Sequence, residues 1–141
     1  MKLVILQGIP ASGKSTYARE FIKGKADWIR VSRDDLRTMR GDYWTPQQEG
    51  FITSVEHYAV IIALETGFNV LVDATNLNPK VIEYWKQMAE LYSVEIEFKR
   101  FDITLIAAIE RDALRSNPVG AKVIKNFFYK YIYKEDLPHE L

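Results

Sequence analysis

The chain contains no cysteine. That excludes a disulfide framework and a thiolate metal site, and it fits a reducing compartment. Charge of one sign is not in surplus either: Lys+Arg and Asp+Glu both count 19, for a formal net charge of zero. Proteins that coat nucleic acid without sequence preference usually carry a basic excess. A nucleic-acid partner would therefore have to be gripped locally, by a few arginines at one point. Long apolar runs are missing as well. The opening MKLVILQG is too short for a secretory leader and has no small-residue cleavage site. No segment approaches the length of a membrane span. The expectation is a cytoplasmic chain with no membrane contact.

What is present suits a folded domain. The 141 residues are 48% hydrophobic and 27% charged, enough for a core within one domain, residues 1–141. KLVILQ (2–7) reads as a buried parallel strand. A helix is expected from Lys14 to Lys23 with Ala18, Phe21 and Ile22 inward, then a strand over 27–32 and a short helix fading at Gly41. Thr45, Pro46 and Gln48 form a capping-box signature for a helix that Gly67 ends. A strand follows over 69–76 with its exit loop. Asn78-Pro79 opens a helix to Tyr92, and the alternation in 94–101 predicts an edge strand. Helices over 104–115 and 121–133 complete the chain, the latter with apolar residues at 123, 124, 127, 128 and 131. Strands alternating with helices predict an α/β, three-layer fold, a parallel sheet of about four strands flanked by helices.

The most specific feature is GIPASGKST (8–16), which matches G-x-x-x-x-G-K-[ST] between a strand and a helix. Gly8 and Gly13 let successive N–H groups turn inward. The helix that follows adds unpaired donors and a partial positive charge. Together Gly8, Ala11, Ser12, Gly13, Lys14, Ser15 and Thr16 form a cradle for the phosphates of a nucleoside triphosphate. Lys14 neutralises charge on the transferring group, and the Ser15 hydroxyl can ligate Mg2+. The bland alternative, a plain glycine turn, does not account for the whole pattern in this setting.

VSRDDLR (31–37) stands at the carboxyl end of the second strand, where doubly wound sheets line their ligand crevice. Asp34 or Asp35 could accept a proton from a substrate hydroxyl, and Arg37, one turn on, could hold an anionic acceptor. Alone, Ser32 or either aspartate would read as a helix cap. Beside a phosphate loop, catalysis is the better reading. Arg111 and Arg115 share one helix face and could lean over the triphosphate. A solvated basic face with Glu110 and Asp112 stays open for Arg111.

GIPASGKSTYAREFI, SRDDLR, DATNLNP and ERDALRSNPVG, in that order, resemble the kinase domain of the phage-type 5′-polynucleotide kinases, a branch of the P-loop kinases. The resemblance covers nearly the whole chain. It implies transfer of the γ-phosphoryl of ATP or another NTP to the 5′-hydroxyl end of DNA or RNA in nucleic-acid repair. It implies Asp34 as general base, Arg37 as the grip on the acceptor phosphate, and Arg115 as a lid arginine on the donor. Thr75 and Asn76 shape the loop and touch the acceptor. Asp73, with Ser15, would act on Mg2+, although family members place the acidic residue directly before Thr-Asn and Ala74 intervenes here. No aspartate-rich phosphatase motif follows, so phosphatase and ligase activities are expected on separate proteins. The compartment would be the host cytoplasm if the chain is phage-encoded, and a homo-oligomer is left open.

Two competing functions stay in view: a small-molecule P-loop kinase (nucleoside, nucleotide-sugar or zeta-toxin-like), and a non-catalytic NTP-binding switch. Among the aromatics, FFYKYIY (127–133) reads as core or interface, with base stacking the less favoured reading. Tyr43 and Trp44 are the better candidates for meeting an acceptor base. His57 is expected on a helix surface and His139 in a fraying tail.

Overall fold

In the computed structural model, which describes residues 1–41 and 45–133, the run KLVILQ becomes β1 (Lys2–Gln7), a central parallel strand. Its alternation sends Leu3 and Ile5 to one face and Val4 and Leu6 to the other, all four buried. The remaining strands are β2 (Trp28–Ser32), β3 (Asn69–Asp73) and β4 (Glu95–Arg100). All pairings are parallel, in the order β2-β3-β1-β4. β4 is the expected edge strand, with Glu95 and Glu97 exposed and Ile96 and Phe98 half-buried.

Helices cover both faces, as the α/β expectation required. On one side α3 (Pro46–Glu65) and α4 (Pro79–Leu91) bring Val60, Ala63, Leu64, Trp85, Met88 and Ala89 onto Leu3, Ile5, Val70 and Val72. On the other, α1 (Lys14–Ile22) sets Ala18, Tyr17 and Phe21 against Val4, Leu6 and Leu71. Short α2 (Arg33–Arg37) leaves β2, and α5 (Leu105–Ala113) and α6 (Ala121–Phe127) follow β4. The capping box is formed: Gln48 N–H donates to Thr45 Oγ1 at 3.2 Å and Thr45 N–H to Gln48 Oε1 at 3.1 Å.

Two expectations need revision. The last helix is not uniform: after α6 it widens into a π-helical segment, Phe128–Ile132, and of its apolar residues Val123 is 40% exposed. His57 is no solvated surface residue, because its ring stacks on Tyr84 at 3.9 Å and meets the Trp85 edge. Tyr43, Trp44 and His139 lie outside the described residues. Among the described residues, no helix is long and apolar enough to cross a membrane.

One buried amide joins the layers. Asn76, at φ 46° just past β3, donates from Nδ2 to Leu6 O at 2.7 Å and accepts from Trp85 Nε1 at 3.1 Å. Asparagine tolerates this left-handed backbone better than most side chains. With 4% exposure and its amide spent inward, Asn76 is not placed to touch an acceptor. It shapes the loop, because its side chain is the link between β1, the exit of β3 and α4. Asn76→Ala should therefore strand two buried polar partners and cost about 3 kcal/mol. Urea denaturation followed by Trp fluorescence checks this; a loss below about 1 kcal/mol contradicts the assignment.

Candidate nucleotide and acceptor site

The phosphate loop starts where β1 ends. A side chain at Gly8 would put Cβ 2.6 Å from Ser12 Oγ and 3.0 Å from Phe101 O, so only glycine fits. Gly13 takes φ 101°, another glycine conformation, and caps α1 without a side-chain partner for the helix N–H groups. Ala11 also has positive φ, 65°, a strained backbone position of the kind found at ligand sites. Lys14 Nζ spans the loop, donating to Gly8 O and Ile9 O at 2.8 Å each and to Ser12 Oγ at 3.2 Å. Ser15 is half-buried beside it and Thr16 is exposed.

Burial pushes the Lys14 ammonium down from 10.5 to about 8, against the pull of the Asp73 and Asp34 carboxylates, and Arg115 pushes it further down. The same charges therefore locate the site. Residues from the loop, from the end of β2, from the end of β3 and from beyond α5 all bear on one ammonium.

The acidic pair after β2 diverges. Ser32 is the helix cap, accepting from Asp35 N–H at 3.3 Å. Asp34 Oδ1 accepts from Arg37 Nη1 at 2.8 Å, and its charge reaches Lys14. Asp35 Oδ2 instead accepts from Arg30 Nη1 at 2.8 Å. Arg30 also donates from Nε (3.0 Å) and Nη2 (2.7 Å) to Oδ2 of the buried Asp73. Because Ser32 pairs with Asp73 in the β2–β3 register, Arg30 is its diagonal neighbour on the same face.

Arg37 is not free. It donates from Nε and Nη2 to the two oxygens of Glu49 on α3, at 3.2 and 2.8 Å. Arg33 (3.3 Å) and Arg40 (2.8 Å) converge on the same carboxylate. The hydrogen bond from Arg37, with the charges of Arg37 and Arg33, holds the Glu49 carboxyl down at about 2 against the effect of burial. Arg33 reaches on to Glu56 Oε1 at 3.0 Å; burial raises the Glu56 carboxyl, and its Oε2 has no hydrogen-bond partner among the described residues. The Glu49 clamp leaves the Nη1 edge of Arg37 turned to Asp34.

In the last turn of α5, Arg111 lies over the phosphate loop, its Nη1 3.7 Å from where a Gly13 Cβ would stand. Arg115 Nη1 is 3.4 Å from Asp112 Oδ1. Asp112 is not part of a solvated face, as its neighbourhood in sequence suggested. It is 2% exposed and accepts from Val119 N–H (3.0 Å) and Gly120 N–H (2.9 Å), folding the chain after α5 back upon itself. Thr75 joins the site through its backbone, accepting from Gly8 N–H at 3.0 Å.

The structure thus brings together Gly8, Ala11, Ser12, Gly13, Lys14, Ser15, Asp34, Asp73, Arg111 and Arg115, with Arg37 beside Asp34. Sequence reasoning missed Arg30, Glu49, Glu56 and the burial of Asp112. Arg30 was hidden inside a strand pattern; a lone cation two residues before a strand end is the only local sign of it.

A parallel sheet with this loop at the end of its central strand defines a P-loop nucleotide-binding fold. The family model described as "AAA domain" matches residues 3–131, and the chain belongs to that family. It is 31% identical, over 93% of its length, to a bifunctional polynucleotide kinase/RNA ligase of Autographa californica nuclear polyhedrosis virus, covering 21% of that protein. It is 30% identical, over 96% of its length, to an L-seryl-tRNA(Sec) kinase of Methanococcus maripaludis, covering 56% of it. The chain thus spans about a fifth and about half of these curated relatives. A chain of the solved Pnkp1/Rnl/Hen1 RNA repair complex superposes with TM-score 0.78 at 36% identity, over 97% of this chain and 46% of that one.

Two outcomes follow from the charges. Lys14 sheds its proton near pH 8, and an anion in the loop would raise it again. Triphosphate binding above pH 8 should therefore take up a proton and weaken with rising pH. Calorimetry in buffers of different ionisation enthalpy reads this; buffer-independent heat at pH 8.5 contradicts it. Glu49, at about 2 instead of 4.5, contributes stability that is complete above pH 4.5 and lost as pH falls through 2. Glu49→Gln should cost about 1 kcal/mol at pH 7, given its solvent contact. That gap should close at pH 2 in denaturation curves; a constant gap argues against the ion cluster.

Proposed function

We propose that this chain transfers the γ-phosphoryl group of ATP to the 5′-hydroxyl end of a polynucleotide, RNA before DNA, in end repair. The observation that carries the reading is the pairing of Asp34 with Arg37 within the electrostatic reach of Lys14. A proton acceptor, an anion grip and the phosphate-loop lysine then face one space. The preference for RNA rests on the relatives, whose names speak of RNA ligase, tRNA and RNA repair.

In the proposed reaction the 5′-hydroxyl gives its proton to the Asp34 carboxylate as its oxygen bonds to the γ-phosphorus. The bond from that phosphorus to the bridging oxygen of the β-phosphate breaks, and ADP leaves. Lys14, Arg111 and Arg115 hold charge on the transferring group, so catalysis is positioning plus electrostatics. Arg37, aimed by Glu49, grips the phosphate next to the reacting nucleoside.

The residues fit a magnesium ion. Ser15 offers a hydroxyl at the start of α1, and Asp73 keeps Oδ1 while Arg30 occupies Oδ2. Both are hard oxygen donors of the kind Mg2+ takes together with substrate phosphates. Among the described residues no group of three His, Cys, Asp or Glu forms a metal cage, so the nucleotide would complete the shell. When bound, the ion supplies charge neutralisation on the β- and γ-phosphates. Ligation and 3′-end chemistry would lie outside residues 1–141, and the setting would be a cytoplasm, that of a host in the viral case.

The test is γ-labelled ATP with 5′-hydroxyl RNA, DNA and nucleoside 3′-monophosphate. Asp34→Asn keeps shape but loses the proton acceptor, and should cut turnover by about 10²–10⁴ fold with ATP binding unchanged. Asp35→Asn should leave chemistry within about tenfold and reduce stability by about 1 kcal/mol, through Arg30. A dead Asp35→Asn beside an active Asp34→Asn reverses the roles. Label transferred to free nucleoside as readily as to 3′-nucleotide turns the reading towards a small-molecule kinase.

A further inference from the structure

The helical stretch after α5, residues 121–133, has two unlike sides. Its inner side sets Ile124, Phe127, Phe128, Tyr131 and Ile132 against Ile9 of the phosphate loop and Leu77, next to Asn76. It is therefore seated at the carboxyl end of the sheet, beside the site. Its outer side carries Lys122, Lys125 and Lys130, all exposed, and residues 121–133 contain no aspartate or glutamate. None of the three lysines pairs with a carboxylate among the described residues. In a chain whose net charge is zero, this is a local positive strip.

Two aromatic side chains stand in that strip. Tyr129 is 49% and Tyr133 42% exposed, against the usual preference of such rings for cover. Their ring centroids are 5.1 Å apart at 72°. Four residues apart, Tyr129 and Tyr133 share the outer side while Phe128, Tyr131 and Ile132 turn inward, and the backbone that carries them is the π-helical segment Phe128–Ile132. Such segments are rare and concentrate at functional places. Cations for the backbone interleaved with rings for the bases is the chemistry of single-stranded nucleic-acid grooves.

We propose that this outer side is a docking surface for single-stranded RNA: it holds the nucleotides that follow the 5′ end, Tyr129 and Tyr133 stacking on bases and Lys122, Lys125 and Lys130 meeting phosphates. The proposal rests on the kinase reading above and adds to it a reason for preferring a chain over a mononucleotide. Arg37 serves the first phosphate; this surface serves those beyond it.

The experiment compares adenosine 3′-monophosphate with a 5′-hydroxyl RNA of about twelve nucleotides, within the span of single-strand sites. Tyr129→Ala/Tyr133→Ala should raise KM for the RNA by about tenfold or more. Its kcat, its KM for ATP and its use of the mononucleotide should not change. Lys125→Gln/Lys130→Gln should flatten the salt dependence of RNA binding by about 0.7 per lysine in log–log slope. Tyr→Phe at both positions should restore the RNA KM. An unchanged RNA KM overturns the proposal, as does an equal loss on both acceptors. A raised ATP KM would assign the rings to the donor base, and a changed sedimentation coefficient would make the surface a protein interface; either overturns it. If the wild type phosphorylates neither acceptor, the kinase reading fails. Fluorescence anisotropy of the labelled RNA, wild type against both double variants, then still decides the surface: equal binding overturns it, and weaker binding by the variants upholds it.

Discussion

Everything at the site hangs from the parallel pairing of β1 with β3 and from the amide that locks their ends. Asn76 holds Leu6 O and Trp85 at once, so the loop after β3 cannot drift from the loop after β1. Gly8 N–H bonding to Thr75 O closes the same seam from the other side. Open α/β sheets place ligands where neighbouring strands send their connections to opposite faces. Here that is the gap between β1, which leads to α1, and β3, which leads to α4. The phosphate loop is thereby held rigid on its own side, with Lys14 threaded through its carbonyls.

The opposite wall is built differently, from charges. Arg30 ties the end of β3 to α2 through Asp73 and Asp35, and Glu49 ties α2 to α3 through three guanidiniums. Partly exposed ion pairs contribute little each. Their value here is directional, since a bidentate guanidinium–carboxylate pair fixes a plane. Arg37 is aimed, and Asp34 with it. Glu56 is the weak point of this wall, with one buried oxygen lacking a hydrogen-bond partner among the described residues.

The architecture and the loop were legible because both rest on local pattern. Continuous apolar runs marked the inner strands, alternation marked β4 as an edge, and Thr45 with Gln48 marked the start of α3 to the residue. The opposite wall was not legible. Its bonds join residues 5 to 43 positions apart, and strand register and helix orientation bring the distant ones together. An arginine in WIRV and a glutamate four residues into a helix look like ordinary solvated charges until the partner strand is placed. Asn76 misled for a related reason: its polarity suggested a ligand contact, while its backbone turn and a tryptophan nine residues on made it a core residue. The π-helical turn of the last helix was hidden too, because residues 124, 127, 128 and 131 have the spacing of an ordinary α-helix.

The strand order has a consequence for how the chain is made. β1 leaves the ribosome first, yet neither of its neighbours is near in sequence: Leu3 pairs with Val70, and Lys2 with Glu95. At about 5–20 residues per second, the nascent β1 waits several seconds before β3 emerges. For that time an apolar strand has two open edges, and only helices are there to cover it, α1 on one face and, once made, α3 on the other. The phosphate loop, synthesised before β3, waits on the exit of that strand for its bond from Gly8 N–H to Thr75 O. The rate of translation over α3, residues 46–65, sets how long this exposure lasts.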